Sequence, residues 1–350
     1  MRAPPSFSVA GRPVGPGHPS LIIAEIAQAH DGSLGMAHAF IDAAAGASAD
    51  AIKFQTHLAH AESTPGEPFR VPFSKQDASR YDYWRRMEFS PEQWAGLAEH
   101  ARERGLIFLS TPFSHEAIAL LEALDLAAWK IGSGELENLP LLERAAQGGR
   151  PLLLSTGMGS WDHIDAAVAA VQAAGAPVGL FQCTTAYPTA PEQLGLNLLA
   201  ELRARYQVPV GLSDHSGQIY ASLGAATLGA NLLEVHLTFS HQAFGPDVPA
   251  SLTPAQLAQL VEGVRYLEAA QAHPVDKEAM AGELSELRTL FGRSVVAARP
   301  LSPGQALGAS DLALKKPGGG LPPAALSGLI GRRLTRALAA DERVEERDLD

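Results

Sequence analysis

The chain has 350 residues, 46% of them hydrophobic, so it can bury a large core and is globular rather than disordered. Its formal net charge is −11, with no block rich in lysine and arginine; nucleic acid is a poor fit as a partner, while a small anion needs only a few placed lysines. One cysteine, Cys183, allows no internal disulfide, and neither a signal peptide nor an apolar run of membrane-spanning length is read, so a cytoplasmic protein with no membrane partner is expected.

Residues 1–20 are rich in Pro and Gly and read as an extended arm or short hairpin over a barrel floor. Then eight apolar, strand-like runs appear: 21–26, 49–56, 106–111, 127–133, 151–156, 178–185, 208–214 and 232–238. Helical patterns lie between them. The segment 36–47 carries apolar residues at helical spacing. The segment 90–105 opens with Ser90 as N-cap, Pro91 in the first turn and Gln93 at the capping-box position, and closes on Gly105. Further helices are predicted over 160–175 and 252–270, the second starting Thr253, Pro254, Gln256. Strand then helix, repeated eight times, predicts an α/β fold of the (β/α)8 TIM-barrel type. Runs that are apolar on both faces suit parallel strands covered by helices. A doubly wound open sheet would want a glycine-rich phosphate loop after the first strand, and EIAQAHDGS is not one.

Between the second and third strands lies a long insertion, 57–89, of a length that in a compact domain is usually functional, such as a lid. After about residue 275 the rhythm changes. The expected division is a barrel over 1–275, a linker over 276–290 and a small β-rich domain over 291–350, with an amphipathic bit at 323–330.

In a barrel, catalytic residues gather at the C-terminal ends of the strands. Here those ends are polar: Glu25; Lys53, Gln55 and Thr56; Ser110 and Thr111; Lys130, Ser133 and Glu135; Ser155 and Thr156; Thr184, Thr185 and Tyr187; Ser213, Asp214 and His215; Glu234, His236 and Thr238. Lys53 and Lys130 stand inside otherwise apolar runs, where an unpaired ammonium is expensive. Two such lysines at one barrel mouth suggest a bound phosphate or carboxylate; a structural pair with Glu25 or Glu234 is the plain alternative. A Schiff-base lysine is a third role that spacing alone does not refuse. His215 and His236 end consecutive strands, each beside a carboxylate, and imidazole nitrogen suits Mn, Zn, Fe or Co. His18, His57, His60 and His241 carry no usable pattern, and His30 sits in a loop after the first strand.

The motifs IIAEIAQAHDG, DAIKFQTH, FLSTPF, KIGSGELENLPLL, LLLSTGM, CTTAYPT, GLSDHSG, EVHLTF and GPDVPASLTP occur in this order, followed by RSVVAARPLSPGQAL and KKPGGGLPP. Together they closely resemble the sialic acid synthase family, over about residues 20–350. The resemblance implies a (β/α)8 barrel joined to a C-terminal antifreeze-like (SAF) domain, and condensation of phosphoenolpyruvate with an N-acetylhexosamine such as N-acetylmannosamine. It implies a divalent metal, Mn2+ first and Mg2+ or Co2+ as alternatives, on His215 and His236. Lys53, Lys130, Ser133, Thr185 and Ser213 fall where the family grips phosphoenolpyruvate, with Ser110 or Thr111 in range. Glu135, Tyr187 and Asp247 match positions near the reacting sugar, and Glu25 is grouped with them as a catalytic carboxylate. A domain-swapped homodimer is also implied, the antifreeze-like domain of one subunit capping the other's barrel.

The sequence departs from the family pattern in four places. AHDG stands where NHNG is common, Thr185 where Asn is frequent, Val248 where His is frequent, and Lys316 where an Arg usually reaches the acylamino sugar. Arg to Lys is not conservative at a planar recognition site. These changes bear on the sugar more than on phosphoenolpyruvate. A 2,4-diacetamido hexose, giving legionaminic or pseudaminic acid, is therefore a second reading, and a non-catalytic carbohydrate-binding relative a third.

Overall fold

The computed structural model describes residues 5–350; the first four residues of the expected arm lie outside the described residues. The chain divides into two compact units, ending and beginning at Ala272 and His273.

The first unit opens on a hairpin, β1 (Phe7–Val9) with β2 (Arg12–Val14), paired antiparallel. Its turn residues Ala10 and Gly11 both have positive φ, 50° and 79°, the backbone that a tight two-residue hairpin requires. Eight parallel strands come next: β3 (Leu21–Ala27), β4 (Ala51–Thr56), β5 (Ile107–Pro112), β6 (Trp129–Ile131), β7 (Leu152–Ser155), β8 (Val178–Cys183), β9 (Val210–Asp214) and β10 (Leu232–Leu237). Their spatial order is β5-β4-β3-β10-β9-β8-β7-β6, so the first and last strands of the eight pair with each other, as a barrel demands. Between β5 and β6 no ladder forms among the described residues, although the two run side by side. β6 is only three residues long, and the chain leaves it into a 3₁₀ turn at Ser133–Glu135, where the sequence suggested strand through residue 133.

Apolar side chains divide into two layers. One lies between strands and helices, with Phe40, Trp94, Leu97, Leu141 and Leu257 among its fully buried members. The other fills the barrel floor, where Val9 and Val14 of the hairpin close on Leu21, Ile23, Phe181 and Leu232. Arg12 and Arg265 both reach Asp50, at 2.7 and 2.6 Å, and tie that floor together. The expected helix starts hold: Ser90 and Gln93 form a reciprocal capping box around Pro91, and Ser160 caps the helix Trp161–Ala173. The helix predicted over 252–270 runs Pro254–Ala272, with Thr253 and Gln256 bonded at its start as expected.

The insertion 57–89 is partly helical, with Ala59–Glu62 and Arg80–Met87. Its aromatic residues Tyr83 and Trp84, with Met87 and Ala59, form a small core of their own.

The second unit begins with two short helices, Lys277–Glu283 and Ser285–Phe291, in the stretch read from sequence as linker. A two-stranded antiparallel pair, Ser294–Ala297 with Leu312–Lys315, comes after them, and the rest is turns and isolated bridges around Val295, Leu301, Leu334, Leu338 and Val344. The amphipathic bit at 323–330 is a 3₁₀ turn running into the one-turn helix Leu326–Leu329. No helix among the described residues is long and apolar enough to cross a membrane.

Candidate active site

The parallel register sets the site. Glu25 lies opposite Lys53 across β3 and β4, and opposite His236 across β3 and β10; Ser213 lies opposite Glu234 and opposite Cys183. Alternation along each strand turns these side chains inward. Lys53 is ion-paired to Glu25 and lies 3.8 Å from Glu234, and its Nζ donates to Thr111 Oγ1 at 3.1 Å. Lys130 Nζ donates to Glu234 Oε1 at 3.1 Å and to Ser155 Oγ at 2.8 Å. Ser213 Oγ donates to the same Glu234 oxygen at 3.3 Å. The lysine pairing weighed from sequence is present, and the paired lysines still line a cavity of about 160 Å³.

A buried array of two ammoniums and two carboxylates balances its charge but not evenly. Burial pulls the Lys53 pKa down, yet Glu234 and Glu25 outweigh it and the net shift is upward. Lys130 has less compensation, and burial lowers its pKa. Burial works to raise Glu234, but Lys130 and Lys53 hold it below the usual carboxylate range. Burial wins at Glu25, whose pKa lies above that range despite Lys53. Oε2 of Glu25 and Oε2 of Glu234 are buried without a hydrogen-bond partner. Glu25 is thus the member most ready to take a proton when an anion arrives, which would leave the lysines in excess.

The two histidines face the same cavity. His215 Nδ1 sits 2.8 Å from the Thr184 carbonyl oxygen, which can only accept, so Nδ1 carries the proton and Nε2 keeps its lone pair. Tyr187 Oη lies 3.2 Å from that Nε2 and its ring stacks on the imidazole. Burial, then the other histidine, pushes the His215 pKa down to about 4; burial pushes His236 down to about 3. Both are neutral at pH 7, as a metal ligand must be. Asp247 Oδ2 lies 3.8 Å from His236 Nδ1, and burial raises its pKa. Among the described residues no group of three or more His, Cys, Asp or Glu side chains could hold a metal. Two neutral imidazoles fit a divalent ion only if water or a substrate completes its shell.

A second cavity, of about 370 Å³, adjoins the first across Gln55, Phe113, Gly134 and Tyr187. Strand ends supply Glu135 and the loop after β10 supplies Asp247, while the insertion supplies Phe69, Arg70, Tyr83 and Trp84. Arg70 lies over the Tyr187 ring at 4.7 Å and 3.8 Å from Asp247. His57 is sandwiched between the rings of Trp84 and Phe113, at 3.9 and 4.3 Å, each within 12° of parallel.

Of the residues singled out from sequence, Glu25, Lys53, Thr111, Lys130, Ser133, Thr185, Tyr187, Ser213, His215 and His236 line the inner cavity. Glu135 and Asp247 line the outer one. Ser110 does not face either: it is fully buried, and its hydroxyl bonds Thr56 Oγ1 at 2.8 Å and the Phe54 carbonyl at 3.2 Å. Strand alternation sends Ser110 and Thr111 to opposite sides, and Thr111 is the one at the mouth. Lys316 belongs to the second unit, where its Nζ lies 5.3 Å from the Phe291 ring centre. Sequence reasoning passed over His57, Arg70 and Glu62; for His57 the signal was its place directly after the strand end KFQT.

The chain matches the NeuB family over residues 40–276 and the SAF domain over residues 292–349. It is 34% identical over 345 residues to the human N-acetylneuraminate-9-phosphate synthase, covering 97% of this chain and 95% of that one. It is 32% identical over 333 residues to the N,N'-diacetyllegionaminic acid synthase of Campylobacter jejuni, covering 93% and 99%. Its fold is similar to the N-acetylneuraminic acid synthetase of Leptospira borgpetersenii, solved with citrate, at a TM-score of 0.71 and 28% identity over 82% of this chain and 97% of that one. A barrel whose mouth is lined by lysines and histidines, and two matched domains spanning most of the sequence, give one answer: the chain is an enzyme of the NeuB family, the sialic acid synthases that its motifs resemble.

Proposed function

We propose that the protein condenses phosphoenolpyruvate with N-acetylmannosamine or a related N-acetylhexosamine, giving a nine-carbon 2-keto sugar acid and phosphate. The observation that carries this reading is the placement of two buried lysines and two neutral histidines on one small cavity. Lys53 and Lys130, with the hydroxyls of Thr111, Ser133, Thr185 and Ser213, are the groups that would grip the phosphate and carboxylate. His215 and His236 would hold a divalent ion, Mn2+ by preference, with Mg2+ or Co2+ as substitutes; once bound it would act as a Lewis acid on the sugar aldehyde.

The enol C3 of phosphoenolpyruvate forms a bond to the aldehyde carbon, and C2 becomes electron-poor. Glu234, which Lys130 and Lys53 keep ionised, lines that cavity and would stabilise the charge, while Glu25 is the carboxylate that would hold a proton. Water adds to C2, the C2–O bond to phosphate breaks, and the keto acid remains. Asp247, its pKa raised by burial, and Glu135, which accepts a hydrogen bond from Asn138 Nδ2 at 2.8 Å, are the groups placed to move protons to and from the sugar oxygens. Tyr187 orients His215.

The acceptor reading has a second form. Relatives of comparable identity are named for N,N'-diacetyllegionaminic acid, and another, at 29%, for pseudaminic acid. With Thr185, Val248 and Lys316 in place of the usual residues, a 2,4-diacetamido hexose is the alternative substrate. We further read the enzyme as a cytoplasmic homodimer, in which Lys316 reaches the acceptor of a second copy of the chain. The deciding experiment is phosphate release from phosphoenolpyruvate with Mn2+ and a panel of N-acetylated hexoses; no release with any of them overturns the synthase reading. A monomer at micromolar concentration by light scattering would overturn the dimer.

A further inference from the structure

Cys183 is the chain's one thiol, and no step of the condensation uses it. It ends β8, pairs across the ladder with Ser213 and lines the inner cavity at 4% exposure. Its Sγ lies 3.1 Å from Ser133 Oγ, and Gly157 N–H donates to that same hydroxyl oxygen at 3.1 Å. The three groups are packed tightly enough that a methyl group on Gly157 would stand 2.5 Å from the sulfur and 3.0 Å from Ser133 Oγ. Glycine at this position lets the backbone N–H and the thiol reach Ser133 together.

Between Cys183 and Ser133 either atom could donate, and the surroundings favour the thiol. Lys130 Nζ donates to Ser155 Oγ at 2.8 Å, since an ammonium has no lone pair with which to accept. The Ser155 proton therefore points elsewhere, and the Cys183 sulfur is within its reach. The thiol keeps its own proton: burial raises its pKa, although Ser133, Lys130, Gly157 and Ser155 lower it. A hydroxyl oxygen accepts better than a neutral sulfur, and an anionic oxygen better than either. When a carboxylate or phosphate enters the cavity, the strongest arrangement has the Ser133 O–H donating to the anion while its two lone pairs take the Gly157 N–H and the Cys183 S–H. Each bond in such a row polarises the next, from the Lys130 ammonium through Ser155 and Cys183 to Ser133.

We propose that Cys183 is a positioning residue for the phosphoenolpyruvate half of the site, its S–H holding the Ser133 hydroxyl so that the Ser133 proton faces the substrate anion. The inference rests on the synthase reading and deepens it. An apolar side chain in place of the thiol would leave Ser133 one donor short.

The full-length, Mn2+-loaded enzyme is compared with Cys183→Ala and Cys183→Ser under phosphoenolpyruvate and its best acceptor. Loss of one neutral hydrogen bond should raise the KM for phosphoenolpyruvate about 3- to 10-fold in Cys183→Ala, more than it changes kcat or the KM of the sugar. Cys183→Ser restores a donor at the same place and should bring that KM back to within about 2-fold of wild type. An unchanged KM in Cys183→Ala, or a serine variant no better than the alanine one, overturns the inference. A readout on the wild-type protein decides the matter even where the variants fail to fold. With one cysteine in the chain, the S–H stretching band in the infrared belongs to Cys183 alone. Donation weakens the S–H bond, so phosphoenolpyruvate binding without an acceptor should move the band to lower wavenumber. A band that stays in place or rises, while calorimetry shows phosphoenolpyruvate bound, overturns the inference and leaves the synthase reading standing. No phosphate release with any acceptor overturns the synthase reading, and the band under phosphoenolpyruvate alone then still decides the role of the thiol.

Discussion

The inner and outer cavities are built on opposite principles. Strand ends and the residues just after them build the inner one, and its charged side chains are almost completely buried and tied to one another. The parallel ladders place each of those groups, and a strand cannot slip by one residue without turning its whole inward set to the helices. The outer cavity borrows half its wall from a loop insertion, and its arginines are a third to a half exposed. One region has the rigidity that bond-making needs; the other has the adaptability from which a family draws different acceptors. Damage to the inner cavity should therefore cost both folding and chemistry, and damage to the outer one should change choice of substrate.

The strongest way to break that contrast is Lys53→Met. It leaves Glu25 and Glu234 buried with half of their compensation gone, and removing one partner of a buried ion pair costs about 3–5 kcal/mol. A large drop in melting temperature and at least a ~10³-fold loss of phosphate release are expected; a stable variant with more than a tenth of wild-type activity would show that the array is not the anchor of the inner cavity. Next is His236→Ala, expected to abolish Mn2+ binding by calorimetry and lower activity by about 10²-fold or more, with the far-ultraviolet circular dichroism unchanged. Retained Mn2+ binding would remove the ligand assignment. A milder effect is expected from Gly157→Ala. A methyl group there would stand 2.5 Å from Cys183 Sγ, 2.8 Å from Thr185 Oγ1 and 3.0 Å from Ser133 Oγ. Overpacking of that kind costs about 1–3 kcal/mol, and displacing Ser133 and Thr185 should raise the KM for phosphoenolpyruvate while leaving that for the sugar nearly unchanged. An equal rise in both would blur the division between the cavities.

The same contrast decides what was legible in the sequence. Continuous apolar runs announce buried parallel strands, and Lys53 and Lys130 are conspicuous inside them, so the barrel, its closure and most of the inner cavity could be read from residue order. Strand alternation was the one rule needed to choose Thr111 over Ser110, and the register that anchors it, Gln55 opposite Thr111, exists only once the sheet forms. The brevity of β6 was hidden because the apolar run AAWKIGS continues past the point where its ladder stops. On the outer wall Glu135, Tyr187 and Asp247 were legible, but the side chains that the insertion contributes were not. Glu62 is five residues from His57, yet Trp84 and Phe113 come from 27 and 56 residues away, and no local period links them. Segments without a ladder or a helical period place their side chains by tertiary contact alone.

The smallest predicted effect tests whether burial without compensation behaves as the inner cavity requires. His30 comes after the bulge in β3 at which Ala27 adopts φ of 47°, and its ring packs 4.8 Å from Phe89. Gly32 N–H donates to its Nδ1 at 3.1 Å. Burial, with His57 and Arg86 adding to it, pushes its pKa down to about 3, from 6.5 when unfolded. The folded protein therefore refuses a proton that the unfolded chain accepts. The stability held by neutral His30 is complete above pH 6.5 and is lost as pH falls toward 3, at a limiting slope of about 1.4 kcal/mol per pH unit. Glu25 works in the opposite sense: its folded pKa, raised to about 6, means that the stability it contributes at acid pH is lost as pH rises through that value. The two oppose each other between pH 4.5 and 6, so the absolute pH profile is a poor readout and the difference from a variant is a good one. His30→Asn offers an oxygen to the Gly32 N–H and cannot titrate. Its stability relative to wild type, by urea denaturation at pH 7, 6 and 5, should improve steadily with acidity; a constant difference would mean that His30 is open to water when folded, and that burial in this wall is weaker than its packing implies.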